Sequence, residues 1–145
     1  MMPVEILIAE HRLIEKMVTF IGEKIKTMTE SRQIDSNFIV LTVDFFRTYA
    51  DRYHHGKEEG ILFKELSTRK LSEEDYKLMF ELIMEHALAR KTVTSLVTCN
   101  NDYLSGKTQA ITDILAKLKV LVDLYPRHIQ KEDQHFFYPV MKYFT

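Results

Sequence analysis

Two short stretches of the sequence each pair a histidine with a carboxylate four residues later. His54 precedes Glu58 and His128 precedes Glu132, and both pairs lie in the pattern His-x-x-Lys-Glu-acid. Residues i and i+4 lie on the same face of an α-helix, so each stretch offers an imidazole and a carboxylate to one point in space. Two such pairs facing each other would form a metal-binding site.

A second repeated signature precedes each pair. His11 and His86 each follow a glutamate and precede a leucine by two positions, and their separation almost equals that of His54 and His128. We therefore predict two copies of one helical hairpin, each with a lone histidine on its first helix and a His-x-x-x-Glu pair on its second.

The composition favours helices as the elements that position these residues. Only four glycines and three prolines occur, too few for the turns of a β-sandwich or barrel. Apolar residues recur at three- and four-residue steps over about 4–28, 37–66, 73–104 and, in the last helix, 111–135. Four long helices with short connections predict an all-α, up-down-up-down four-helix bundle, as a single domain spanning 1–145.

The four histidines fall at similar depths in such a bundle. The starts of the first and third helices and the ends of the second and fourth share one end, and the histidines lie about 12–20 Å from it. We therefore expect six side chains to converge on one interior layer and to bind metal. They are His11, His54, Glu58, His86, His128 and Glu132.

In the second helix, His55 and Glu59 directly follow the predicted ligands His54 and Glu58 and have the same side-chain types. The face through His54 and Glu58 continues an apolar stripe, whereas the face through His55 and Glu59 is more polar. We therefore predict that His54 and Glu58 point inward, and that His55 and Glu59 lie outward or behind the ligands.

The six side chains favour a metal over a metal-free interior. Six unpaired polar groups in one layer would carry a large desolvation cost, and a buried acid–base network is the metal-free alternative. Imidazole and carboxylate ligands suit iron, manganese or zinc. Because each of two carboxylates can bridge two ions, the set favours a dinuclear centre.

In this order and spacing of residues, the chain resembles the hemerythrin-like, HHE cation-binding domains over essentially its whole length. The resemblance rests on His11, on 54–59, on 85–86 and on 128–132. It implies a four-helix bundle around a non-heme di-iron centre, with two iron ions as cofactor and zinc or manganese as alternatives. It further implies terminal ligands His54 and His128, bridges Glu58 and Glu132, and remaining imidazoles His11 and His86.

The third helix departs from the oxygen-carrying members of that family. Those proteins have a second histidine one turn after the third-helix ligand, where this chain has Arg90. Their last carboxylate ligand is an aspartate with the spacing of Asp133, although Glu132 is better placed here. The site therefore lacks one imidazole, and water, His135 or Glu15 could take its position. This departure argues against reversible oxygen carriage.

These features predict a metal-binding protein that binds or senses a small diatomic ligand, O2 or NO, or handles iron. The alternative is a di-iron enzyme, such as an oxidase, a peroxidase or an NO-detoxifying reductase. A ferritin-like carboxylate site is less favoured, because it needs two Glu-x-x-His pairs and only Glu132 and His135 form one.

Charge and composition limit the partners of the chain. A net charge of −1 does not favour nucleic acid or an anionic membrane surface. The single cysteine, Cys99, excludes an internal disulfide and a cysteine-based metal motif. The N-terminus lacks the features of a signal peptide and no stretch is apolar enough to span a membrane, so we expect a cytoplasmic protein. The sequence does not specify an oligomeric state.

Overall fold

Four long helices make up the fold in a computed structural model that describes residues 3–144. They are α1 (Pro3–Ser31), α2 (36–66), α3 (Glu73–Leu104) and α4 (109–140), followed by a short 3-10 helix, Met141–Phe144. No strand occurs among these residues. The predicted all-α fold is confirmed, and none of the helices within 3–144 carries an apolar stretch long enough to span a bilayer.

Side-chain caps begin two of the helices. Asp35 accepts a hydrogen bond from the N–H of Phe38 at the start of α2, and Ser72 accepts one from the N–H of Asp75 at the start of α3. Gly106 follows α3 with φ 94°, a left-handed conformation that favours glycine after a helix. The first helix extends past the predicted 28 to Ser31.

The four helices pack as a closed bundle. α4 packs on α1 and α3, α3 packs on α2, and α1 meets α2 at the segment Phe46–His55. Two hydrophobic clusters fill the interior at different depths. The larger spans Ile14 to Met28 of α1 and its neighbours, and the smaller includes Val4 and Leu7 of α1. Five of the six predicted ligand residues lie between the two clusters along their helices, and His128 lies next to Ile129 of the larger cluster.

The second and fourth helices contain π-helical turns where they carry the His-x-x-x-Glu pairs. The segments Phe46–His55 and Glu58–Phe63 of α2 are π-helical, and so is Glu132–Phe136 of α4. Such i→i+5 turns widen the helix, change which side chains share a face, and occur frequently at functional sites. Pro126 lies inside the unbroken α-helical segment Gln109–Lys131, so the change in helical geometry comes only at Glu132.

Candidate metal centre

The six residues predicted to bind metal lie together in one buried layer. Each of these residues is at most 3% exposed, although all six are polar or ionisable. They are His11, His54, Glu58, His86, His128 and Glu132. The bundle therefore brings all six into its interior, from all four helices.

These side chains form two groups that could each hold a metal ion. The three-histidine group consists of His55, Glu58, His86 and His128. The two-histidine group consists of His11, His54, Glu58 and Glu132. Within each group, the four potential ligand atoms lie within 4.8 Å of one another. Because Glu58 belongs to both groups, the arrangement suits two ions that share a carboxylate.

Glu132 also lies between the two groups. Its Oε1 atom is 3.1 Å from Nε2 of His11, which belongs to the two-histidine group. The same oxygen is 3.1 Å from Nε2 of His128, which belongs to the three-histidine group. Glu132 is therefore placed, like Glu58, to contact an ion in either group.

The five histidines of the two groups share one orientation. Each places Nδ1 against a carboxylate outside the groups and Nε2 toward the centre. The pairs are His11–Asp133 at 2.7 Å, His54–Glu10 at 2.9 Å, His55–Asp51 at 3.2 Å, His86–Glu59 at 2.6 Å and His128–Glu85 at 2.8 Å. A neutral imidazole that donates from Nδ1 keeps a lone pair on Nε2, which is how metal-binding histidines are usually oriented.

Each of these outer carboxylates is in turn bound by a cation. The ion pairs are Glu10–Lys57, Glu85–Lys131 at 2.6 Å, Asp133–Arg12 at 2.5 Å, and Asp51 and Glu59 with Arg90, both at 2.8 Å. Burial raises the pKa of Glu85, but the hydrogen bond from His128 and the charge of Lys131 outweigh it and leave the pKa below its usual value. Glu85 is therefore ionised at neutral pH and fixes the ring of His128.

Several polar atoms at the centre have no hydrogen-bond partner among the described residues. They are Nε2 of His54, both carboxylate oxygens of Glu58 and Oε2 of Glu132. His54 Nε2 and Glu58 Oε1 lie 2.7 Å apart, but not at the angle of a hydrogen bond. Burying such groups unpaired is costly, and a cation would satisfy the lone pairs and the negative charge together. The residues therefore fit a metal centre.

Two imidazole nitrogens support the same conclusion. Nε2 of His86 and Nε2 of His128 lie 3.2 Å apart. When both rings donate from Nδ1 to their carboxylates, two lone pairs face each other across this gap, which requires a shared proton or a cation. A metal ion in this gap would also bind the adjacent carboxylate of Glu58.

Three residues of the site, His55, His128 and Glu58, have at neutral pH the protonation states that metal binding requires. Burial lowers the pKa of His55 to about 3, despite the hydrogen bond to Asp51, and burial also lowers the pKa of His128. Burial raises the pKa of Glu58, but the imidazole of His54, with Nε2 only 2.7 Å from Glu58 Oε1, outweighs it, so the pKa lies below its usual value. Neutral imidazoles and an ionised carboxylate can bind a metal ion without first losing a proton.

Comparison with known protein families agrees with this site. The family model of the hemerythrin HHE cation binding domain matches residues 2–139. The chain belongs to this family. The resemblance inferred from sequence is thereby confirmed, and the hemerythrin HHE family is one of cation-binding domains. No curated protein and no solved structure gives a significant match.

The predicted outward position of His55 is wrong. Its side chain is 2% exposed and is part of the three-histidine group. The prediction assumed a regular α-helix, whereas Phe46–His55 is π-helical, and α2 lies between α1 and α3. His54 therefore contacts Glu10 of α1, while the next residue, His55, stacks on His86 of α3. The sequence signal for this potential ligand was the histidine next to His54, together with Arg90 at the position where the family's oxygen carriers have a further imidazole.

His135 and Glu15, the two side chains that could have replaced the missing imidazole, do not join the site. His135 is exposed. Glu15 is 44% exposed and pairs with Arg12. Glu59 lies behind His86, which is one of the two positions predicted for it, because its carboxylate contacts Nδ1 of His86. His55 thus supplies the third imidazole of its group.

A cavity of ≈ 240 Å³ borders the three-histidine group. Its lining includes His55, Arg90, Phe46 and Tyr125. Tyr125 is 3% exposed, and burial raises the pKa of its phenol well above the usual value, so the hydroxyl keeps its proton. The hydroxyl can therefore donate a hydrogen bond to a small molecule in the cavity.

Proposed function

We propose that this hemerythrin-family chain holds two iron ions and uses them to bind or sense O2 or NO. The observation that carries the proposal is the sharing of Glu58 by two buried groups of four ligands. Imidazole and carboxylate donors suit iron, and a shared carboxylate suits a pair of ions better than two separate ones. Zinc and manganese accept similar ligands and are the alternatives that metal analysis must distinguish.

The proposed ligand roles follow from the placement of each side chain. In this proposal His55, His86 and His128 are terminal ligands of one ion, and His11 and His54 of the other. Glu58 and Glu132 are the bridges. Their oxygens lie beside histidines of both groups.

The two-histidine group is the proposed place for the diatomic ligand. It offers one imidazole fewer than the other group, so an ion held there would have room for a further ligand. When bound, reduced iron supplies electrons and this open position to a diatomic molecule. The ring of Phe137, which is fully buried, stacks on His11 with centroids 5.6 Å apart and limits the access of water to this side.

A di-iron enzyme is the second candidate, because the cavity of ≈ 240 Å³ beside His55 is large enough for more than a diatomic molecule. Oxidase, peroxidase and NO reductase activities are all compatible with such a site. In each, the protonated Tyr125 hydroxyl would orient a substrate in the cavity.

One experiment separates these functions. The iron-loaded protein is reduced without oxygen and then exposed to O2 or NO while its absorption spectrum and the gas concentration are followed. A spectral change with about stoichiometric gas uptake supports binding or sensing, and continued consumption supports an enzyme. Release of iron without either supports iron handling, and no response contradicts the proposal. His54→Ala should abolish the response, whereas His135→Ala, at an exposed position, should retain it.

A further inference from the structure

Arg90 binds two carboxylates of α2 at once. Its Nε atom donates to both oxygens of Asp51, at 2.9 and 3.0 Å. Its Nη2 atom donates to both oxygens of Glu59, at 2.9 and 2.8 Å. A guanidinium can fork between two carboxylates in this way, which a single ammonium cannot do with the same geometry.

The two carboxylates bound by Arg90 hold two imidazoles of the same group. Asp51 contacts Nδ1 of His55 at 3.2 Å, and Glu59 contacts Nδ1 of His86 at 2.6 Å. Both histidines belong to the three-histidine group. One side chain on α3 therefore determines the orientation of two potential ligands, one on each of two helices.

The remaining outer carboxylates do not depend on Arg90. Glu10, behind His54, pairs with Lys57, and Asp133, behind His11, pairs with Arg12. Both of these histidines belong to the two-histidine group. Loss of the Arg90 guanidinium would thus disturb one group and leave the cations that support the other in place.

We propose that Arg90 is a positioning residue. It sets the metal affinity of the three-histidine group and leaves that of the two-histidine group unchanged. Without its guanidinium, Asp51 and Glu59 are two neighbouring, partly exposed negative charges that repel each other and turn toward water. His55 and His86 then lose the partners that fix their rings. Loss of such a partner typically costs about 10–100-fold in metal affinity. This inference rests on the proposed dinuclear site.

The test is a metal titration of the metal-free protein and of Arg90→Gln, with ferrous iron under anaerobic conditions. We expect the wild type to bind two ions tightly. Arg90→Gln should bind one ion with unchanged affinity and the other about 10–100-fold more weakly. Arg90→Lys, which keeps the charge but not the fork, should fall between them. Arg12→Gln should show the reciprocal loss, at the two-histidine group.

Arg47→Gln is the matched control, because Arg47 lines the same cavity but forms no ion pair with any described residue. It should bind both ions as the wild type does. Arg90→Gln that binds both ions with wild-type affinity, or that weakens both equally, overturns the inference. If Arg90→Gln does not fold, Arg90→Lys decides by the same criteria. A wild type that binds no metal would instead overturn the proposed function, and this inference with it.

Discussion

The rings of His55 and His86 stack face to face, with centroids 3.7 Å apart and planes inclined by 16°. One ring comes from α2 and the other from α3, and each is held at Nδ1 by a carboxylate that binds Arg90. The stack leaves both Nε2 atoms free for the centre. His55 therefore belongs to the candidate site as firmly as the histidines with regular helical spacing.

His55→Ala should weaken the binding of one metal ion and spare the other. The substitution removes an imidazole from the three-histidine group, while His11 and His54 remain in place. We expect at least about a 10–100-fold loss of affinity for one ion, since even a supporting partner is worth that much. A two-step iron titration measures it. His135→Ala is the control, and equal behaviour of the two variants would exclude His55 as a ligand.

Glu58→Gln should lower stability much more when metal is present than when it is absent. In the proposed centre both ions would bind Glu58, so the variant should lose most of the stabilisation that metal gives, about 2.7 kcal/mol per site at a hundredfold excess over Kd. In metal-free protein the change removes a fully buried negative charge and should cost much less. Thermal unfolding with and without a chelator measures this difference. The same loss of stability in both conditions would show that Glu58 acts only in packing.

Acid should destabilise the metal-free protein. Burial lowers the pKa of His55 to about 3 and that of His128 below its usual 6.5. Below pH 6.5 the unfolded chain therefore binds protons that the folded protein does not, and stability falls by about 1.4 kcal/mol per pH unit for each such histidine. Below about pH 3 the folded protein also protonates His55, so His55 no longer contributes to the fall in stability.

The carboxylate of Glu58 also makes the protein less stable as the pH falls. Burial raises the pKa of Glu58, but His54 lowers it by a larger amount, so the pKa lies below its usual 4.5. Its stabilisation is present above pH 4.5 and is lost as the pH falls through the folded-state value. Denaturant unfolding between pH 8 and 4 measures the slope. His55→Leu should flatten it by about 1.4 kcal/mol per pH unit, and a pH-independent stability of the wild type would contradict the burial of neutral histidines.

The sequence was sufficient to predict the fold and to place six side chains in one layer. Periodic apolar residues identified the helices, and the repeat of the His-x-x-x-Glu pairs placed Glu58 and Glu132 at equal depth. Assigning His55 required the π-helical turn of Phe46–His55, which helical periodicity does not indicate.

Sequence patterns also could not identify the carboxylates that contact the Nδ1 atoms of the candidate ligands. Glu85 contacts His128, far away in the chain, and Asp133 contacts His11. Such contacts depend on which helices are neighbours and on how they are rotated, and acidic residues are common on exposed helix faces. Only the three-dimensional packing distinguishes these carboxylates from the other charged residues around them.

The iron content of the protein tests the central claim most directly. The chain is expressed with added iron, freed of loosely bound metal by gel filtration, and analysed for iron and protein together. Two buried groups that share Glu58 predict about two iron ions per chain, falling to one or fewer in Glu58→Ala. A wild-type protein that retains no metal, or a Glu58→Ala variant that retains both ions, would contradict the account.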